Sequence, residues 1–136
     1  MQKKLIVDQI LFVDDDPAQC FLIKHCLSKD YQVTTAANVA EALVILQQLR
    51  PALVITDIVM PQASGFELAK AIQASDHAGQ FPIVFISGEN SLANRINSYR
   101  SGGEYFMSKP WSREELLAMV ASSLRRSRNS RPLAMA

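Results

Sequence analysis

Cysteine is almost missing from this chain: Cys20 and Cys26 are the only two, six residues apart on one stretch of helical period. That spacing points them to different sides and suits neither a zinc knuckle nor a redox CxxC pair. Both are expected to be reduced and to pack as small hydrophobes. Long apolar runs are missing as well, since none approaches the ~20 residues that a membrane helix needs. The opening MQKKLIVDQILFVDDD starts basic, but Asp8 interrupts its apolar part after three residues, which excludes a signal peptide pattern. A cytoplasmic location without a membrane partner is the expectation. A surplus of either charge is absent too: 14 Lys and Arg against 13 Asp and Glu leave +1, so nothing calls for direct contact with nucleic acid. The two histidines, His25 on a helical stretch and His77 in a polar loop, have no neighbour that suggests catalysis.

What the chain does have is alternation. Short β-rich runs, QILFVD, QVTTA, ALVITD, PIVFIS and EYFMS, are separated by segments of helical period. Several runs are apolar nearly throughout, as central strands of a parallel sheet covered on both faces must be. Helix starts are marked by Asp16 before Pro17, by Asn38 with Glu41, and by Ser112 with Glu115. Helices are therefore predicted from near Pro17, Val39 and Arg113, with less sharply marked ones near Phe66 and Ser91. The reading is one α/β domain of five βα units over residues 1–124, a length that buries a core without disulfides. After Leu124 the apolar stripe stops, and RRSRNSRPLAMA, residues 125–136, reads as a linker or flexible tail.

Chemistry collects where the apolar runs end, because ligands of an open parallel sheet bind at the carboxyl ends of its strands. The first run ends in Asp14, Asp15 and Asp16, the third in Asp57 and the fourth in Ser87, while the fifth leads to Lys109. Adjacent carboxylates repel one another and raise one another's pKa unless a positive species intervenes. Magnesium fits that need: it prefers oxygen ligands and takes only one or two carboxylates from a protein. Asp15 and Asp57 are the candidates. Phosphoryl transfer asks for an in-line nucleophile and positive charge around the equatorial oxygens. Asp57 would supply the nucleophile, Lys109 and the cation the charge, and Ser87 a hydrogen bond. Each residue taken alone has a plainer role. Asp16 caps a helix, Asp57 starts a turn, Ser87 before Gly88 is loop chemistry, and Lys109 before Pro110 is exposed. Their fall at successive strand ends is what favours a shared site.

The ordered pieces ILFVDDD, LVITDIVMPQASGFEL, PIVFISG and GGEYFMSKPW resemble the receiver domains of two-component response regulators over about residues 8 to 124. The resemblance implies a flavodoxin-like α/β fold, a five-stranded parallel sheet in the order 2-1-3-4-5 doubly wound with five helices. It implies that Asp57 is phosphorylated by a sensor histidine kinase or a histidine phosphotransfer protein, with Mg2+ as cofactor. Asp15 and Asp57 would hold the ion directly, Asp14 through water, and the backbone carbonyl of Val59 would complete the set. Ser87 takes the place of the family's switch hydroxyl, Gly88 that of a small residue keeping the site open, and Lys109 that of its lysine. The Lys109–Pro110 bond is implied to be cis. One departure is that the switch aromatic, commonly tyrosine, is Phe106 here, with Tyr105 expected to pack on a helix from the other side of the strand. Signalling output is expected through helix 4, strand 5 and helix 5, toward an output domain, a downstream protein or a homodimer; Arg95, Arg100, Met107 and Trp111 are surface candidates, with core the equal alternative for the apolar ones. The chain would be a signalling receiver rather than an enzyme on another substrate, either stand-alone or the front of a longer regulator. Two rival readings are a pseudo-receiver scaffold, which would lack one of these groups, and a haloacid dehalogenase-type phosphatase using Asp14 and Asp16, which would leave Asp57 idle.

Overall fold

The computed structural model describes residues 7–130, with side chains described as far as residue 127. Five strands alternate with five helices: β1 (Gln9–Val13), α1 (Pro17–Leu27), β2 (Gln32–Ala36), α2 (Val39–Leu46), β3 (Leu53–Asp57), α3 (Gly65–Gln73), β4 (Ile83–Ser87), α4 (Leu92–Arg100), β5 (Tyr105–Ser108) and α5 (Arg113–Ser130). All neighbouring strands are parallel and the order is β2-β1-β3-β4-β5. The five-stranded, doubly wound fold is the one expected from the alternation of runs. The strand order reverses between β1 and β3, the place where open parallel sheets bind ligands at their strands' carboxyl ends.

Strand pleating explains the two apolar layers. Leu11, Val13, Val54, Ile83 and Phe85 point to the face covered by α2 and α3, where Ala42, Leu46, Leu68 and Ile72 meet them. Ile10, Phe12, Leu53, Ile55, Val84 and Ile86 point the other way, onto Ile23 and Leu27 of α1 and Leu116, Val120 and Leu124 of α5. Each such side chain contributes about 1.5–3 kcal/mol by leaving water, which rigidly fixes the strand ends that carry the polar groups.

The helix starts are set by local chemistry. Asp16 accepts from Ala18 N at 2.9 Å ahead of Pro17, and Asn38 accepts from Glu41 N at 2.8 Å. Glu41 reaches back to Ala37 N at 2.6 Å, one residue earlier than a regular capping box requires. The complete box is at α3, where Ser64 and Glu67 bond reciprocally. The expected end of regular structure at Leu124 is passed, for α5 continues to Ser130. Its apolar stripe does stop at Leu124, but arginines are good helix formers, and Arg126 bonds Ser122 Oγ at 3.0 Å and Glu104 Oε2 at 3.3 Å. Residues 125–130 are therefore helical rather than irregular, and residues 131–136 lie outside the described ones. No helix among the described residues is long and apolar enough to cross a membrane.

Candidate functional site

Three strand ends bring one ion pair network together. Lys109, just past β5, places Nζ 3.1 Å from Asp14 Oδ2 and 3.3 Å from Asp57 Oδ2. Asp14 follows β1, is 1% exposed, and accepts from Asp16 N at 2.9 Å through its other oxygen. Asp57 closes β3 and accepts from Ile58 N at 2.7 Å through Oδ1. Asp15 is exposed, yet its carboxylate stands with those of Asp14 and Asp57 so that one oxygen of each lies within 4.8 Å of the others. Asp16 caps α1, the plainer of its two sequence roles.

Ser87 closes β4, almost wholly buried, with its hydroxyl oxygen accepting from Glu89 N at 3.0 Å and its carbonyl accepting from Lys109 N at 2.9 Å. The second contact ties the hydroxyl position to the lysine position across the β4–β5 pair. The Lys109–Pro110 bond is cis, as expected. Gly88 faces open space, with nothing within 4 Å of where a Cβ would stand. Val59, in the loop after β3, has an exposed side chain.

The electrostatics are those of an overfull acidic site. Burial and then the neighbouring Asp14 push the Asp57 carboxyl above its ordinary value, and Lys109 only partly offsets them. Burial alone would lower the Lys109 ammonium, but the hydrogen bond and charge of Asp14, followed by those of Asp57, leave it above its usual range. Three carboxylates around one ammonium leave an uncompensated negative charge and an all-oxygen donor set. That suits a hard divalent cation such as magnesium far better than a soft metal.

Phe106 is half-buried on the α2 and α3 side of the sheet, in register with Phe85 of β4. Tyr105 emerges on the other side, 37% exposed, and with Met119, Ser122 and Arg126 of α5 lines a cavity of about 260 Å³. Of the surface candidates, the two apolar ones fall on the core side of their alternatives, Met107 fully and Trp111 in part. Met107 is 1% exposed, because its place on β5 turns it into the layer of Leu116 and Val120. Trp111 packs partly buried against that same layer and donates its indole N–H to Gln19 Oε1 at 3.2 Å, so it faces α1. Arg95 and Arg100 are exposed on α4 as expected.

Gly65 was not singled out in the sequence and belongs to the site's frame. A Cβ there would stand 2.2 Å from Asp57 O, and Gly65 N donates to Ile58 O at 2.9 Å. The signal was present as a glycine directly after a helix-capping serine in QASGFEL, where a better helix former would be ordinary.

Comparison with known proteins agrees with this geometry. The family model for the response regulator receiver domain matches residues 10–121. Response regulator Rre1 of Synechocystis sp. is 37% identical over 123 residues, 89% of this chain and 53% of that protein. The DNA-binding dual master transcriptional regulator RpaA of Synechocystis sp. is 29% identical over 87% of this chain and 49% of its own length. The chain thus spans about half the length of these curated relatives. Among solved structures, a CheY-like receiver domain protein from Methanospirillum hungatei superposes with a TM-score of 0.86 at 27% identity, covering 93% of this chain and all of that one. Chemotaxis protein CheY4 of Vibrio cholerae does so at 0.83 and 29% identity, covering 87% of this chain and 99% of its own. With the acid cluster, hydroxyl and lysine at the ends of a 2-1-3-4-5 sheet and the family model matched across nearly all of that sheet, the chain belongs to the receiver domain family of two-component response regulators.

Proposed function

We propose that this receiver accepts a phosphoryl group on Asp57 from a sensor histidine kinase or a histidine phosphotransfer protein and relays its state to an output domain or downstream protein. The observation that carries the reading is Lys109 bridging Asp14 and Asp57, since one ammonium is held within reach of the oxygens that an acyl phosphate on Asp57 would present. Asp57 attacks phosphorus, the donor's P–N bond breaks as the new P–O bond forms, and the histidine leaves. Lys109 and the Ser87 hydroxyl then take up the phosphoryl oxygens. Asp14, Asp15 and Asp57, with the carbonyl of Val59, are the ligands proposed for Mg2+, which when bound offsets the acids and neutralises phosphoryl charge. The protein chemistry is self-directed signalling, and no separate substrate is turned over.

The proposed readout is a population shift in which Ser87 moves toward the phosphoryl group, Phe106 follows, and the face of α4, β5 and α5 changes. Support for that face comes from α4, which buries only Ser98 and leaves Leu92, Ile96 and Tyr99 outside at i, i+4 and i+7. An apolar stripe turned to solvent suits a partner, a second copy included. The phosphorylatable unit is proposed to cover residues 1–124, with the chain beyond as its connection onward.

The test is intact mass after incubation with acetyl phosphate and magnesium. One phosphoryl adduct on the native chain is expected, lost in Asp57→Asn and under chelation. Retention of the adduct in Asp57→Asn would sink the assignment.

A further inference from the structure

Lys109 directly follows the end of β5, and its ammonium is aimed at two carboxylates from two other strands. Its own backbone is fixed on one side by the 2.9 Å bond to Ser87 O. The other side is fixed by Trp111, whose partly buried indole N–H donates to Gln19 Oε1 on α1 at 3.2 Å. The next residue of α1, Cys20, donates its thiol to Asp14 O at 3.4 Å, and Asp16 at the cap of α1 donates its N–H to Asp14 Oδ1. The start of α1 is therefore in contact with both ends of the ion pair. Asp16 and Cys20 hold the acid end, and Gln19 through Trp111 holds the lysine end.

We propose that Gln19 and Trp111 act as a positioning pair that sets the loop between β5 and α5 at the distance where Lys109 reaches Asp14 and Asp57 at once. The proposal rests on the reading of Asp57 as phosphoryl acceptor. Contacts of 3.1 and 3.3 Å from one ammonium leave little slack, and a loop displaced by an ångström would forfeit one of them. Trp111 packs against the same layer as α1 and α5, so Gln19→Met removes the hydrogen bond while leaving the indole's apolar contact in place. Gln19 touches no reacting atom and serves only through Trp111.

The experiment follows adduct formation by intact mass in acetyl phosphate and magnesium for the native chain, Gln19→Met, Trp111→Phe, the double variant and Gln19→Glu. Each of the first two variants is expected to slow phosphorylation about fivefold at saturating acetyl phosphate, the effect of one net hydrogen bond, with half-saturation unchanged. The double variant should be no slower than either single one, because both remove the same contact. Gln19→Glu keeps the acceptor and should recover most of the rate. Emission of Trp111, the single tryptophan, should move to shorter wavelength in Gln19→Met and not in Gln19→Glu. Native rates in Gln19→Met despite the emission shift would overturn the pair, as would multiplying losses in the double variant or slowing that tracks a lowered melting temperature. A native chain that takes no phosphoryl group would instead overturn the assignment of Asp57, and the positioning pair with it.

Discussion

Asp57 carries a charge that the folded chain resists. Its carboxyl is raised by burial and by Asp14, so the ionised form is less stable folded than unfolded. Below the unfolded pKa both states are protonated and the penalty is absent; as pH rises through the higher folded value the penalty becomes complete. Neutral pH lies above the unfolded value, so the penalty is felt there. Asp57→Asn, melted in chelator at neutral pH, should gain several degrees over the native chain, and the gain should shrink in acid as native Asp57 protonates. Lys109 has the opposite effect. Its pKa is raised by Asp14 and Asp57, so its stabilisation is present throughout neutral pH and is lost only as pH climbs through that raised value. Lys109→Met leaves two buried acids unpaired and should cost about 2 kcal/mol in chemical unfolding at neutral pH, after discounting for the partly exposed lysine. The acids, Ser87 and Lys109 were legible in sequence because each closes or follows an apolar run. Gly65 was not, because its reason is steric and tertiary: the atom it makes room for, Asp57 O, belongs to another element. Gly65→Ala should lower both stability and the rate of adduct formation, whereas Gly88→Ala, facing open space, should keep the fold intact.

At the scale of elements, α4 is built inside out. The stripe it turns inward is polar, with Ser98 buried and Asn94 half-buried at i and i+4, and its Ser98 hydroxyl is satisfied by Arg95 O at 2.7 Å. Close packing, rather than apolar area, holds the helix. Gly103 lets the chain pass so near that a Cβ would stand 2.6 Å from the Phe85 ring and 2.7 Å from Ser98 O. Gly103→Ala should therefore cost about 1–3 kcal/mol by overpacking. Tyr99→Ser on the outward stripe should change unfolding free energy by less than about 0.5 kcal/mol. If α4 is the output face, the same Tyr99→Ser weakens partner coupling while leaving the Asp57 adduct intact, as Phe106→Ala on the neighbouring strand should; undiminished coupling in both would remove α4 and β5 from the output path. Strand cores and helix caps could be read from the chain because period and capping are local. The inward side of α4, the burial of Met107 and the extension of α5 could not, because the first two depend on which neighbour each residue meets and the third on Glu104 across the loop.

Over the whole molecule, the fold's work is to bring the ends of β1, β3, β4 and β5 to one rim, with residues as distant in sequence as Asp14 and Lys109 in direct contact. Both apolar layers support that rim, so the site should not loosen without the core giving way, and unfolding should be close to two-state. A ligand that binds only the assembled rim then stabilises every element at once. If magnesium takes the place proposed for it among Asp14, Asp15 and Asp57, it should add about 2.7 kcal/mol to folding at a concentration a hundredfold above its Kd, raising the melting temperature by roughly 8 °C for a domain of this size. Calcium or magnesium acting only through general screening would instead raise it little and equally in variants. The measurement is the melting temperature across a magnesium series for the native chain, Asp15→Asn and Asp57→Asn. The native curve should climb with the logarithm of concentration, Asp15→Asn should stay nearly flat, and Asp57→Asn should start higher in chelator and climb less. Parallel curves for all three would place the cation elsewhere than the acid cluster.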